Sequence, residues 1–374
     1  SVTTIGDYAF YYCDSLICIA IPDSVRSIGD NAFAICQLLQ NLTICEGVVS
    51  IGDYAFTGCE LLENVTIPDS VSEIGNYVFS GCNNLYHITI GSGVTSINNG
   101  FFDSSYHLKT INLPDDITYI GENVFEDLDG LQYNEYENAL YLGNQNNPYV
   151  VLVKAKDTSI TSCIVNKNTK LIYSSAFSGC AYLESIVIPD GVTFIGSNAF
   201  ENCSSLTSVT IPDSITSIGN SVFYSCASLT NITLPDNVTT IGNYMFYNCY
   251  LLKSVILPDN VTTIGDYAFY NCRSLESITI PDSVTTIGNG VFSGCTNITT
   301  AIIPALAIGY IPHSNLKNVI ITSGDSIGLG AFWRCNSLAS ITIPDSVTSI
   351  GEDAFRDCTS LTSVTIPNNL TNIG

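Results

Sequence analysis

Phenylalanine recurs along this chain at a fixed interval. Phe177, Phe200, Phe223, Phe246, Phe269 and Phe292 are each 23 residues apart. The surrounding residues recur with them, so that 211–231, IPDSITSIGNSVFYSCASLTN, nearly repeats when the window moves one period either way. A fixed period between about 20 and 50 residues marks a solenoid or array. A chain of 374 residues would otherwise suggest two or three globular domains. The repeat overrides that expectation, because a solenoid grows by adding coils.

Each period divides into short pieces, L-x-x-I-x-I-P-D-x-V-x-x-I-G-x-x-A-F-x-x-C-x-x. Val209 and Ile211 point one way and Ser208 and Thr210 the other, the alternation of a half-buried strand. Pro212 and Asp213 end it, since proline has no donor for a ladder. A second extended piece, 215–218, brings Ile215 and Ile218 inward, and Gly219 turns the chain. Asn220 then reads as the N-cap of a short helical turn carrying Val222, Phe223 and Cys226. Asp7, Asp30, Asp53, Asn76, Asn243, Asp266 and Asn289 are the equivalent caps. Leu229 closes the coil, in a leucine row broken by Ile298. At about 4.8 Å per strand, some sixteen coils would extend about 75 Å.

Twelve of the fifteen cysteines stand three residues after the phenylalanine. They read as a ladder of buried thiols acting as small hydrophobes. Identical stacked positions point in parallel, which is poor disulfide geometry. No C-x-x-C occurs, which argues against structural zinc. Cys18, Cys45 and Cys163 lie off the ladder and are expected to be reachable.

Two places break the period. Phe125 and Phe177 are 52 apart, and the segment between them predicts an insertion at about 126–164. There the turn-forming run 143–148 separates 139–142 from 149–153, which reads as a β-hairpin. The segment and its exit hold Lys154, Lys156, Lys167 and Lys170, four of the seven lysines. Phe292 and Phe332 are 40 apart, so the coil at about 301–324 is expected to be irregular. Otherwise 1–374 reads as a single solenoid.

The strand signature resembles that of leucine-rich repeats. A 23-residue unit with IPDSVTSIG followed by AF-x-x-C is similar to the BspA-type leucine-rich repeats, as at 280–288 and 343–351. The resemblance covers essentially the whole chain. Cys45 and Gly91 depart from the usual proline, and Ser105 and Leu128 from the ladder cysteine. It implies an α/β fold: a right-handed solenoid with a parallel β-sheet on the concave face and short helical turns on the convex face. It also implies a cell-surface or secreted protein, and an adhesin binding host matrix or microbial surface proteins.

Charge narrows the partners. Acids outnumber bases 34 to 11, a net charge of -23. Phosphate backbones and anionic membranes would be repelled, so no nucleic-acid partner is expected. No apolar run reaches 18 residues, so no membrane insertion is expected. The chain starts and stops inside repeats without polar caps, and so reads as a piece of a longer protein.

Catalysis finds little support. The three histidines form no H-E-x-x-H, and no phosphate loop occurs. Gly324-Asp-Ser326-Ile-Gly328 matches G-x-S-x-G, but Ile327 and Gly328 are the repeat's own I-G pair. The Asp after Pro recurs once per coil, which suits turn capping better than the dense oxygen set calcium needs. No metal or cofactor is expected. The chain therefore reads as a non-enzymatic interaction scaffold; a structural spacer and a carbohydrate-binding module are the alternatives. Three surfaces are candidates. The outward strand row includes Thr210 and Thr233, and a Thr ladder of this kind also serves simple strand pairing. Tyr224, Tyr247 and Tyr270, with Tyr244 and Tyr267, form a ridge on the opposite side. Tyr136 and Tyr141 mark the hairpin.

Overall fold

The computed structural model describes residues 2–374 and resolves into two compact units. Among the described residues, one comprises 2–154 with 166–173, the other 155–165 with 174–374. Within each unit, successive coils stack through parallel strand pairs one period apart. Asn64 aligns with His87, and His87 with Thr110, in the first unit. In the second, Asn231 aligns with Ser254. A second column of two-residue strands runs beside it, with Thr240, Thr263 and Thr286 in register. The alternation read from the sequence holds: in Asn64–Ile67 and His87–Ile90, Val65, Ile67, Ile88 and Ile90 are buried and the residues between them exposed.

The expected helical turns are absent. No α-helix occurs among the described residues, and the one helical element is the 3-10 turn Ala305–Tyr310. The reason lies in the backbone of the AF-x-x-C segment. Two residues per coil adopt left-handed angles, as at Ser221 (φ 55°) and Ser225 (φ 56°). A single left-handed residue aims its neighbours' amides out of the helical path. Alternate N–H groups then reach the next coil: Ser221 donates to the Asn243 carbonyl at 2.8 Å, Phe223 to Met245 at 3.0 Å, and Ser225 to Tyr247 at 2.7 Å. The intervening amides close tight turns, Tyr224 onto Ser221 and Cys226 onto Phe223, both at 3.1 Å. The segment is thus a third column of inter-coil hydrogen bonds.

Asn220 likewise caps no helix. Its Oδ1 accepts the Asn243 amide at 2.9 Å, Asn243 accepts Asp266 at 2.8 Å, and Asp266 accepts Asn289 at 2.6 Å. In the first unit Asp7, Asp30 and Asp53 do the same for Asp30, Asp53 and Asn76. The sequence signal for a cap was sound; the orphan donor it satisfies belongs to the next coil.

Inside, the phenylalanines form stacks with rings nearly parallel. Phe200–Phe223 and Phe223–Phe246 both have centroids 5.6 Å apart, at 6° and 4°. Beside them the cysteines do more than fill space. Cys226 Sγ donates to the Phe200 carbonyl, and Cys249 Sγ to Phe223, each at 3.1 Å. Ser105 plays the same part in the first unit, donating to the Phe79 carbonyl at 2.7 Å and accepting the Cys82 amide at 3.1 Å. All fifteen cysteines are free thiols. Burial pushes the Cys82 thiol up to about 12, so it stays protonated and able to donate. Cys18 is exposed and Cys45 half-buried, but Cys163 is buried, against expectation. It takes the inward position of Ser162–Ile164, opposite Ile186.

In the first unit, Asn134–Tyr136 pairs antiparallel with Ala139–Leu142, and Val151–Ala155 follows in the same sheet. The sequence suggested the second and third of these strands; the tighter hairpin formed by the first two turns at Glu137 (φ 50°).

The glycine before the turn segment is required by space in most coils, though not at Gly6 or Gly328, which have nothing within 4 Å. A Cβ at Gly265 would lie 2.5 Å from Asn243 Oδ1 and 2.7 Å from its amide nitrogen. Gly309 has nothing within 4 Å of that position. Gly265→Ala is therefore expected to lower the unfolding free energy by about 1–3 kcal/mol, the scale of overpacking. Gly309→Ala should stay within about 0.5 kcal/mol. Urea unfolding of both variants checks this, and equal effects would contradict the close approach of coils.

Candidate interaction surfaces

In the second unit, Thr210 and Thr233 face outward together. With Asn231, Asp213 and Asp236 they line a crevice of about 390 Å³. Regular pairing lapses there. Thr210 meets Val187 in an isolated bridge, while Asn231–Thr233 pairs with Ser254–Ile256. Much of the remaining face is a ladder of polar side chains, such as Ser254 Oγ donating to Asn231 Oδ1 at 2.8 Å. The threonine row also carries aliphatic intrusions: Ile164, Val187, Ile256 and Ile320 are 51%, 58%, 61% and 41% exposed. Ile164 and Ile320 escaped sequence reasoning because they lie at the two period breaks. Their signal was a β-branched aliphatic where the repeat places threonine.

The tyrosines on the turn side come together as one array. Tyr224–Tyr247 and Tyr247–Tyr270 stack at 4.8 and 4.7 Å, with interplanar angles of 4° and 9°. Tyr244 and Tyr267 stack at 5.4 Å, and each meets the first row at a steep angle, 5.8 and 5.9 Å away. Tyr244 and Tyr267 are themselves left-handed residues of the turn column. Gly290 continues their row with no side chain, and the Tyr267 ring covers it; a Cβ there would lie 2.6 Å from the ring. Arg273 extends the array, its guanidinium 5.2 Å over the Tyr250 ring. The pair lies one period apart, each residue directly after a ladder cysteine (Cys249 and Cys272), so the repeat itself carried the signal.

The hairpin residues separate. Tyr141 is fully buried, so it is not available to a partner. Its inward position in Ala139–Leu142 follows from the strand's pairing, and its hydroxyl accepts the Asn166 amide at 3.3 Å. Tyr136 is half-buried against Tyr141 and Tyr149. The recurring Asp after Pro also differs from a simple turn cap: Asp69 accepts the Ser92 amide of the next coil at 2.7 Å. Asp282 accepts Thr322 and Ser323 hydroxyls at 2.6 and 2.7 Å. Ser326 of the G-x-S-x-G match donates to the adjacent Asp325 at 3.1 Å.

The repeat geometry has a direct counterpart among known families. The model of the BspA type leucine-rich repeat region matches residues 3–132, 155–275, 239–324 and 311–374, in six copies. The chain belongs to this family. A leucine-rich repeat protein from Bacteroides ovatus is 30% identical, with 96% of this chain and 81% of that one covered and a TM-score of 0.40. A leucine-rich cell surface protein from Faecalibacterium prausnitzii is 26% identical over 100% of this chain and 76% of that one, with a TM-score of 0.36. The pneumococcal vaccine antigen PcpA is 20% identical over 94% and 79%, with a TM-score of 0.38. No curated protein sequence matches the chain. Among the described residues, no helix of this BspA-type chain is long and apolar enough to cross a membrane.

Desolvation, then the phenols of Tyr224, Tyr270, Tyr250 and Tyr244, hold the Tyr247 hydroxyl above its ordinary value of 10. The stabilisation this carries is fully present below pH 10 and is lost as pH rises through the folded value. Replacing Tyr224 and Tyr270 by Phe should bring Tyr247 back toward, though not to, its ordinary value. Alkaline titration by tyrosine ¹³Cζ NMR reads this directly, and an unmoved midpoint would contradict the coupling.

Proposed function

We propose that this chain is a non-enzymatic protein-interaction scaffold displayed at a cell surface, an adhesin that engages host matrix or microbial surface proteins. The tyrosine array of the second unit is the observation that carries the reading. Binding hot spots favour tyrosine, tryptophan and arginine. Tyrosine gives large contact area at low conformational cost, and rings already stacked lose less still on binding. Tyr224, Tyr244, Tyr247, Tyr267 and Tyr270 form its body, with Arg273 on Tyr250 at its margin. The exposed aliphatics beside Thr210 and Thr233 offer a second contact face on the same unit. Membership in a family whose proteins are typically surface-displayed supports the location. A chain of net charge -23 favours partners with basic surfaces.

The test is binding of the full chain to immobilised matrix proteins at low and moderate salt. Saturable binding is expected, with a loss of about tenfold or more when Tyr224, Tyr247 and Tyr270 become Ser. Undiminished binding in that variant but loss in Val187→Ser/Ile256→Ser would move the contact to the strand face. No saturable binding would contradict the adhesin reading.

A further inference from the structure

The first unit carries a different kind of surface, built by its insertion. Residues 143–148 fold against the strand face, where the Leu113 amide donates to the Gly143 carbonyl at 3.1 Å. Asn144 locks this loop from within. Its Nδ2 donates to the Leu113 carbonyl and to Asp115 Oδ1, both at 2.9 Å. Its Oδ1 accepts the amides of Asn146 and Asn147, also at 2.9 Å. Asn134 Nδ2 ties the far end down through the Pro148 carbonyl at 3.1 Å.

A cleft of about 430 Å³ opens between loop and strand face. That volume falls within the roughly 300–1,000 Å³ of small-ligand sites. Thr110, Asn112, Gln132, Tyr133, Asn134 and Gln145 supply its polar wall, and no charged side chain lines it among the described residues. Gln132 and Gln145 are exposed, and neither side chain is engaged in a hydrogen bond among the described contacts. Burial, aided by Asp129, pushes the Tyr133 phenol up to about 12, so it remains a neutral donor. Lys154 Nζ sits 4.9 Å over the ring of Tyr133.

We propose that this cleft binds a neutral saccharide. Primary amides and hydroxyls both donate and accept, as do the vicinal hydroxyls of a sugar. An anionic ligand would find no cation in the lining. An apolar ligand would strip water from unpaired amides without replacing their bonds. An extended peptide needs an open strand edge or apolar side-chain pockets, and this lining supplies neither. The clamped loop needs little ordering on binding. The site is independent of protein binding by the second unit, and either can fail alone.

Saturation-transfer difference NMR on the full chain tests it, with di- and trisaccharides of glucose, galactose, mannose and N-acetylglucosamine as neutral probes. A heparin disaccharide is the anionic probe. Saturable binding of a neutral probe is expected, weakened about tenfold or more in Gln132→Ala/Gln145→Ala at unchanged melting temperature. Asn144→Ala, which frees the loop, should weaken the same binding. The proposal is overturned if no neutral probe saturates, if the double variant binds as well as the parent, or if heparin is preferred.

Discussion

Alternate amides of the turn segment have no carbonyl to bond within their own coil. Ser221, Phe223 and Ser225 find theirs one coil on, and the side chain of Asn220 serves the same neighbour. A coil alone would leave these donors unpaired, at about 1–3 kcal/mol for each buried group. The stack is therefore the smallest unit that satisfies the backbone. The other regularities follow from that constraint. Coils held this close leave no room for a Cβ at Gly265. They set phenylalanine rings into van der Waals register and bring ladder thiols such as those of Cys226 and Cys249 under the carbonyl of a phenylalanine in the preceding coil.

The inward rows were legible because burial selects them in every coil. Phe, Leu, Cys and the paired Ile positions are apolar for one reason, repeated. The turn segment misled for a physical reason as well. A-F-x-x-C places two buried side chains at a helical spacing, and Asn or Asp ahead of it looks like a cap. The contrary signal was present at the two left-handed positions. Asn198 and Asn202, Gly290 and Gly294, and Asp353 and Asp357 are residues that tolerate positive φ. Helix interiors disfavour such residues at this density. Tyr141 and Cys163 were misplaced for another reason. Each sits in a segment that breaks the period, where the side a residue faces depends on pairing that the repeat does not encode.

Function departs from the repeat in the same way. The uniform parts of each coil are occupied in holding the next coil. What is free to recognise a partner is the variation laid over them: tyrosines at three successive turns, aliphatics where threonine is usual, and a loop inserted across the strand face. The two units carry different variations, aromatic and aliphatic in one, amide-rich and uncharged in the other. A solenoid suits this division, since a surface residue can change without disturbing the rows beneath.

The inter-coil hydrogen bonds are the claim on which the rest stands. Scalar couplings across hydrogen bonds, measured by NMR on deuterated, ¹⁵N,¹³C-labelled protein, report donor and acceptor directly. The account predicts couplings from the Phe223 amide to the Met245 carbonyl and from the Ser225 amide to the Tyr247 carbonyl. Couplings from those amides to the carbonyls of Gly219 and Ser221 instead would mean helical turns, and would contradict it.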